Sequence, residues 1–296
     1  MNIFSLNIAD YIIRLQSEPG GPSLVPGERF SKFICNTQMA DIIINIHSGR
    51  HRLPERAVKV FSAPYVEEIN GVRTKKSDKF WSVHRHNNEL FIKSTFPLSP
   101  EKKKAVLRFS LSEKNWDLWL EGTGPETDPL EYPLDGLILY YLTVMNGDIM
   151  IHGSGVCHDE HGYLFSGVSG KGKTTMARLW DQYGALVIHD DRLIIRRITG
   201  EYKMFNTPVY KDDVPRSSGL DKIFLIEHGK QNEFIRVSGA NAVSLVMANC
   251  IQHNWNQDIV AKLISAVSLL STTVPVFRLP FIPDKSIIVE IIENEY

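Results

Sequence analysis

Short runs rich in β-branched and aromatic residues, separated by polar turns, fill the first 120 or so positions: ADIIINIH (40–47), KFWSVHRHNNELFIKSTF (79–96) and AVLRFSLSEKNWDLWLEG (105–122). This pattern predicts strands, and a meander of antiparallel ones is its simplest arrangement. Asn87-Asn88 falls between two such runs and predicts a tight hairpin, because Asn tolerates positive φ. SEPGGPSLVPGERF (17–30) carries three Pro and three Gly and predicts a loop. GTGPETDPLEYP (122–133) has the same punctuation and sets a domain boundary, giving a mainly β domain over 1–125 and a second domain over 130–296.

Beyond that boundary the pattern changes. In PLDGLILYYLTVMNGD (133–148) the residues Leu134, Leu137, Ile138 and Tyr141 recur at helical spacing, with Pro133 to open the helix and Asn146-Gly147 to close it. IMIHG (149–153) and GYLFSG (162–167) read as strands. The stretch after Lys173 places Met176, Leu179, Trp180 and Tyr183 on one helical stripe. No internal repeat or low-complexity segment is visible.

Composition adds bounds. The 296 residues suffice for a substantial core and two domains, and 43% apolar with 23% charged content is that of an ordinary soluble protein. No apolar run approaches the roughly 20 residues of a spanning helix, and the N-terminus lacks a signal pattern, so a cytoplasmic protein with no membrane partner is expected. Cys35, Cys157 and Cys250 are too few and too scattered for a disulfide framework or a cysteine zinc site. A net charge of −1 gives no overall field to recruit nucleic acid, and Lys102, Lys103 and Lys104 read as a solvated turn.

Gly167, Gly172, Lys173 and Thr174 meet the P-loop spacing: Gly, four residues, Gly-Lys, then a hydroxyl residue, with a strand before and a helix after. The loop Gly167, Val168, Ser169, Gly170, Lys171, Gly172, Lys173, Thr174 and Thr175 is the candidate nucleotide cradle. Its glycines let backbone N–H groups turn toward phosphate oxygens, and the helix start adds a positive dipole end. Lys173 is placed to neutralise the β/γ charge, and Thr174 to hold the Mg²⁺ that accompanies the nucleotide. Lys171 lies inside the loop but outside the motif and reads as solvated.

Sixteen residues separate Lys173 from Asp190, room for one short helix and a return strand, and ALVIHDD (185–191) predicts that apolar strand, ending in Asp190 and Asp191. One carboxylate would stand by the metal while the other accepts a proton from an attacking hydroxyl. Asp190 is taken as the base and Asp191 as the metal-side acid, with the reverse order open. His152, at the end of IMIH, either orients the aspartate or is a structural histidine; His189 reads as structural. HDEH (158–161) has the residue types of a metal site but the context of a hairpin turn.

The IHG, GVSGKGKT and HDDR segments resemble the HPr serine kinase family, bacterial kinases that phosphorylate a seryl hydroxyl of a phosphocarrier protein. The resemblance extends through YPLDGLILYYL, TPVY and VFRLPFIPD and covers roughly residues 130–292. It implies an α/β P-loop kinase core of the phosphoenolpyruvate carboxykinase type that binds ATP. His152 would match the active-site histidine, Lys173 the loop lysine, Thr174 the magnesium hydroxyl and Asp190 the proton acceptor. The family's downstream metal-binding glutamate motif and its C-terminal glycine-arginine segment are missing. Glu201 reads as part of a turn, and Arg278 and Arg216 are the candidate phosphate-side cations. These departures point away from the HPr carrier and the reverse phosphorolysis, toward a relative with another hydroxyl acceptor, most plausibly serine of a small protein or peptide. The alternatives are a nucleotide-binding switch or scaffold, a kinase of a small molecule such as free serine, and a carboxykinase. The oligomeric state, monomer or homo-oligomer, stays open.

Overall fold

The computed structural model describes residues 2–69, 72–96, 103–122, 124 and 126–293, with backbone alone for 64–69 and 72–79. Lys102 of the basic cluster, and Thr123 and Pro125 of the Gly/Pro-rich stretch, lie outside the described residues. The chain divides into two compact units, Met1–Tyr141 and Leu142–Tyr296. Each mixes parallel and antiparallel strand pairs, and the whole is a mixed α/β fold with few helices.

The first unit contains β1 (Ile3–Ile8), β2 (Tyr11–Ser17), β3 (Ser23–Leu24), β4 (Ile34–Cys35), β5 (Ile42–Ser48), β6 (Val58–Ile69), β7 (Val72–His86), β8 (Glu89–Thr95), β9 (Lys104–Phe109), β10 (Asn115–Glu121) and β11 (Glu126–Thr127). A nine-stranded sheet runs in the order β4-β1-β2-β5-β10-β9-β8-β7-β6. Strand alternation makes its two faces chemically different. Ile42, Ile44 and Ile46 of β5 and Trp116, Leu118 and Leu120 of β10 are buried on one face. His47, Asp117, Trp119 and Arg108 alternate with them on the other.

The expected antiparallel meander holds from β6 to β10, with the hairpin at Asn87 (φ 53°) where the Asn pair placed it. It fails at β5, which pairs in parallel with both β2 and β10. β5 is not joined to either by a hairpin, so its neighbours are set by long connections that carry no local turn signal. The 17–30 segment is mostly loop, as expected, with β3 inside it.

The predicted helix is α1 (Leu134–Asn146), and Gly147 ends it in the left-handed region at φ +72°. It is buried on every side from Leu137 to Val144 rather than along one stripe. Its sequence is apolar nearly all round, which a surface helix is not. The division between the units falls within it.

The second unit continues with β12 (Ile149–His158), β13 (His161–Ser166), α2 (Lys173–Tyr183), β14 (Leu186–Ile198), β15 (Glu201–Asn206), β16 (Ser217–Gly219), β17 (Lys222–His228), β18 (Ile235–Val237), α3 (Gly239–Met247), α4 (Gln257–Thr273), β19 (Val276–Phe281) and α5 (Ser286–Glu293). Its eight-stranded sheet is ordered β16-β15-β14-β12-β13-β17-β19-β18. β13, β17 and β19 form a parallel block, and the other pairings are antiparallel. HDEH is the β12–β13 hairpin, with Asp159 and Glu160 both at positive φ, and Glu201 follows the Thr199-Gly200 turn.

Each face of this sheet has its own core. On one, Ile151, Leu164, Leu193 and Ile223 pack with Ala242 and Val246 of α3 and Leu263 and Val267 of α4. On the other, Phe165, Phe224 and Phe277 pack with Met176 and Trp180 of α2 and Ile287 and Ile288 of α5. Within α2 the buried residues are Met176, Ala177 and Trp180, whereas Tyr183 is 45% exposed. The helix is capped one residue later at Gly184, so Tyr183 sits at its edge, packed against the His158 ring at 5.3 Å with its outer side exposed.

Trp180 fastens α2 to the sheet. It is fully buried, with ring centroids 5.3 Å from Tyr163 and 6.2 Å from Phe165. Its indole Nε1 has no hydrogen-bond partner, so its contribution is packing alone. Trp180→Ala should therefore cost about 3–5 kcal/mol, and Trp180→Phe much less. Urea denaturation midpoints of the two variants check this; equal losses would show that the ring is not what anchors the helix.

Candidate functional site

The glycine-rich loop leaves β13 at Ser166 and enters α2 at Lys173. Ser166 is buried, and its hydroxyl donates to the His152 carbonyl at 2.5 Å, which ties the base of the loop to β12. Gly170 and Gly172 take φ of +83° and +98°. A Cβ on Gly172 would also meet Phe281 Cζ at 3.0 Å, so both the backbone and its neighbour require glycine here. Val168, Ser169, Gly170, Thr174 and Thr175 are exposed, while Gly167, Lys171, Gly172 and Lys173 are half-buried.

Gly172 is the N-cap of α2, and no side chain caps the helix. Its first-turn N–H groups are thus left for an outside acceptor, beside the positive end of the helix dipole. The ammonium of Lys173 folds back over the loop, donating to the carbonyls of Gly167 at 2.7 Å and Val168 at 3.3 Å. Burial lowers its pKa below the usual lysine value, while Asp190 and then Asp191 pull the other way. The far side of the loop rests on the end of β17, where His228 Nε2 lies 2.9 Å from the Gly170 carbonyl.

Strand register brings the acids to this loop. Asp191 pairs with Gly153, and Gly153 with Ser166; one step along, Asp190 pairs with Ser154 and Ser154 with Phe165. The acid-bearing strand therefore lies two strands from the loop-bearing one. Ser154 Oγ donates to Asp190 Oδ1. Nδ1 of His152 lies 3.2 Å from the Asp191 carbonyl oxygen and 3.6 Å from its carboxylate.

The acids do not end their strand, contrary to the sequence expectation. β14 continues to Ile198, and the pair sits mid-strand. What ends there is the neighbour: β15 pairs with β14 only from Leu193 onward. The acids thus occupy a stretch of β14 that has no strand partner on that flank. A register shift opposite Gly155 and Val156 lies just before them.

The open flank is lined by the TPVY segment. Thr207 is buried, accepts from Arg192 Nε at 3.0 Å and donates to the Arg192 carbonyl at 3.1 Å. Asp213 accepts from the backbone N–H of Val209 and Tyr210 and lies 3.3 Å from Nε2 of the buried His189. The Tyr210 ring stacks on His189 at 5.5 Å, and burial, then Asp191 and Asp190, raise the phenol's pKa. His189 is thus placed in a packing and hydrogen-bonding role.

The two candidate arginines are differently placed. Arg278 forms a two-pronged ion pair with Glu227, at 2.9 and 3.2 Å. That hydrogen-bonded pairing, with Lys171 adding its charge, keeps Glu227 below the ordinary carboxylate range. Arg216 donates to the Val187 carbonyl at 2.8 Å, and among the described residues no hydrogen bond or ion pair joins it to the loop.

Ser154 was missed in the sequence although a signal existed: it stands two residues from His152 and shares its strand face. Tyr210, Asp213 and His228 have no such signal, because long-range pairing alone brings them in. Among the described residues no group of three or more His, Cys, Asp or Glu could hold a metal. No helix among them is long and apolar enough to cross a membrane.

No family model matches the sequence, and no curated protein matches it. Among solved structures the chain is similar to the HPr(Ser) kinase/phosphatase from Coxiella burnetii, at 10% identity and a TM-score of 0.32, over 49% of this chain and 94% of that one.

Gly172 and Gly184 share nearly the same φ, +98° and +96°, but only Gly172 has a neighbour within reach of a Cβ. Gly184→Ala should cost about 1 kcal/mol of backbone strain. Gly172→Ala should cost measurably more, because Phe281 must also move. Thermal unfolding of both variants checks this; equal losses would remove Phe281 as a constraint on the loop.

Proposed function

We propose that the second unit is an ATP- and Mg²⁺-dependent kinase that transfers the γ-phosphoryl group to a hydroxyl, most plausibly a seryl hydroxyl of a small protein or peptide. The observation that carries this reading is the uncapped N-terminus of α2 with Lys173 at its head, set within the electrostatic reach of Asp190 and Asp191. Phosphoryl transfer demands positioning and neutralisation of charge rather than covalent help from the protein. The loop N–H groups and Lys173 supply both for the β- and γ-phosphates.

Asp190 is assigned as the proton acceptor. Ser154 fixes its carboxylate by donating to Oδ1, which leaves the other oxygen to receive a proton from the acceptor hydroxyl. His152 lies against Asp191 and orients it. The exposed Thr174 hydroxyl and the half-buried Asp191 carboxylate are hard oxygen donors, the chemistry magnesium takes when phosphates and water complete its shell. They fit the ion, which would neutralise phosphate charge there. Arg278, held by Glu227, stands on the loop side as a further cation, and Arg216 is left to structure.

Asp190→Asn should retain ATP·Mg²⁺ binding, read as an unchanged nucleotide-induced thermal shift, and lose at least about 100-fold in transfer. Lys173→Ala should lose the thermal shift itself. Transfer is measured with radiolabelled ATP against candidate seryl peptides and free serine. Full transfer by Asp190→Asn would overturn the base assignment. A nucleotide-induced shift without transfer to any acceptor would identify a nucleotide-binding scaffold.

A further inference from the structure

The first unit carries a cavity of about 630 Å³ on the polar face of its sheet, floored by β6 to β10 and walled by residues 49–53. Its charge is one-sided. Arg50, Arg52, Lys59, Lys93 and Lys104 line it against a single carboxylate, Glu121, in a chain whose net charge is −1. Among the described residues no carboxylate makes an ion pair with any of these five cations. Arg108, just outside, shows the contrast: it is paired with Asp117 at 2.5 Å and Glu89 at 3.6 Å. All five are exposed, and a surface lined by one sign of charge attracts ligands of the other. The local field is visible in His84, whose pKa is lowered by burial and then by Lys93 and Lys59.

The shape of the charge selects among anions. Lys59 and Lys93 lie on strands two apart, about 10 Å, so the positive charge is spread across the sheet rather than gathered at one point. The aromatic rings do not offer stacking platforms of the kind single-stranded nucleic acid uses. Trp119 is already stacked with His51 at 3.8 Å and His47 at 4.9 Å, and Trp81 packs on Phe61 at 5.1 Å. What remains is a row of cations with the hydroxyls of Ser62 and Ser82 between them. The floor crosses four inter-strand gaps, about 19 Å, the length of five or six extended residues.

We propose that this cavity is a docking site for an extended acidic peptide segment, recognised through carboxylates spaced along it. The site is independent of the kinase reading, since binding here requires neither nucleotide nor Lys173.

Fluorescence anisotropy on the full chain without nucleotide tests this, with a fluorescein-labelled ten-residue peptide of alternating Glu and Ser and its Gln-Ser counterpart. Two charge-matched double variants are compared: Lys59→Glu with Lys93→Glu in the cavity, and Lys32→Glu with Lys114→Glu at exposed positions outside it. Unchanged thermal midpoints establish that both are folded. The expected result is at least tenfold tighter binding of the acidic peptide than of the neutral one, a tenfold or greater loss in the cavity variant, and less than threefold loss in the control. Equal binding of the two peptides, or equal losses in both double variants, would overturn the proposal. So would tighter binding of tripolyphosphate or a short oligothymidylate than of the acidic peptide, which would mark a site for another anion.

Discussion

Backbone hydrogen bonding across β14, β12 and β13 sets the separation on which the candidate site depends. Because Asp191, Gly153 and Ser166 occupy one row of that ladder, the carboxylates sit two strands, about 10 Å, from the base of the loop. A slip of one residue would turn Asp190 and Ser154 to opposite faces and send core residues such as Leu193 toward the wrong side. The packed layers on both faces hold that register: Trp180 and the phenylalanines on one side, the α3–α4 helices on the other. Precision at the site is thus a consequence of burial in the sheet beneath it.

The loop shows the complementary principle, backbone geometry that only glycine supplies. Positive φ at Gly170 and Gly172 turns the chain so that α2 begins without a side-chain cap. At the start of α4 a cap is provided, where Asn256 accepts from the N–H groups of Asp258 and Ile259; α3 begins at Ser238 without one. The difference between α2 and α4 is the difference between an end whose first-turn N–H groups no side chain satisfies and one that is satisfied internally.

What was legible in the sequence follows from how local each signal is. The loop, its helix, the two hairpins at Asn87 and Asp159, and the turn before Glu201 are encoded within a few residues, and they lie where the pattern placed them. The mid-strand position of Asp190 and Asp191 was not legible, since it depends on where β15 stops pairing, 15 residues downstream in register. The parallel placement of β5 was hidden for the same reason. His152 and Ser154 lie between these cases: their shared face is local, but their juxtaposition with the acids is a property of the sheet. The cationic cavity of the first unit gathers residues 50 to 121; of its cations only Lys104 belongs to a linear charge run, and it opens β9 rather than sitting in the expected turn.

The central claim is that the loop at residues 167–175 holds a nucleotide through its backbone N–H groups. Amide hydrogen exchange resolved along the chain, with and without a non-hydrolysable ATP analogue and Mg²⁺, measures those groups directly. The account predicts slowed exchange concentrated in residues 168–176, with no such slowing in Lys173→Ala. Unchanged exchange across this segment, with protection appearing elsewhere in the chain, would contradict it.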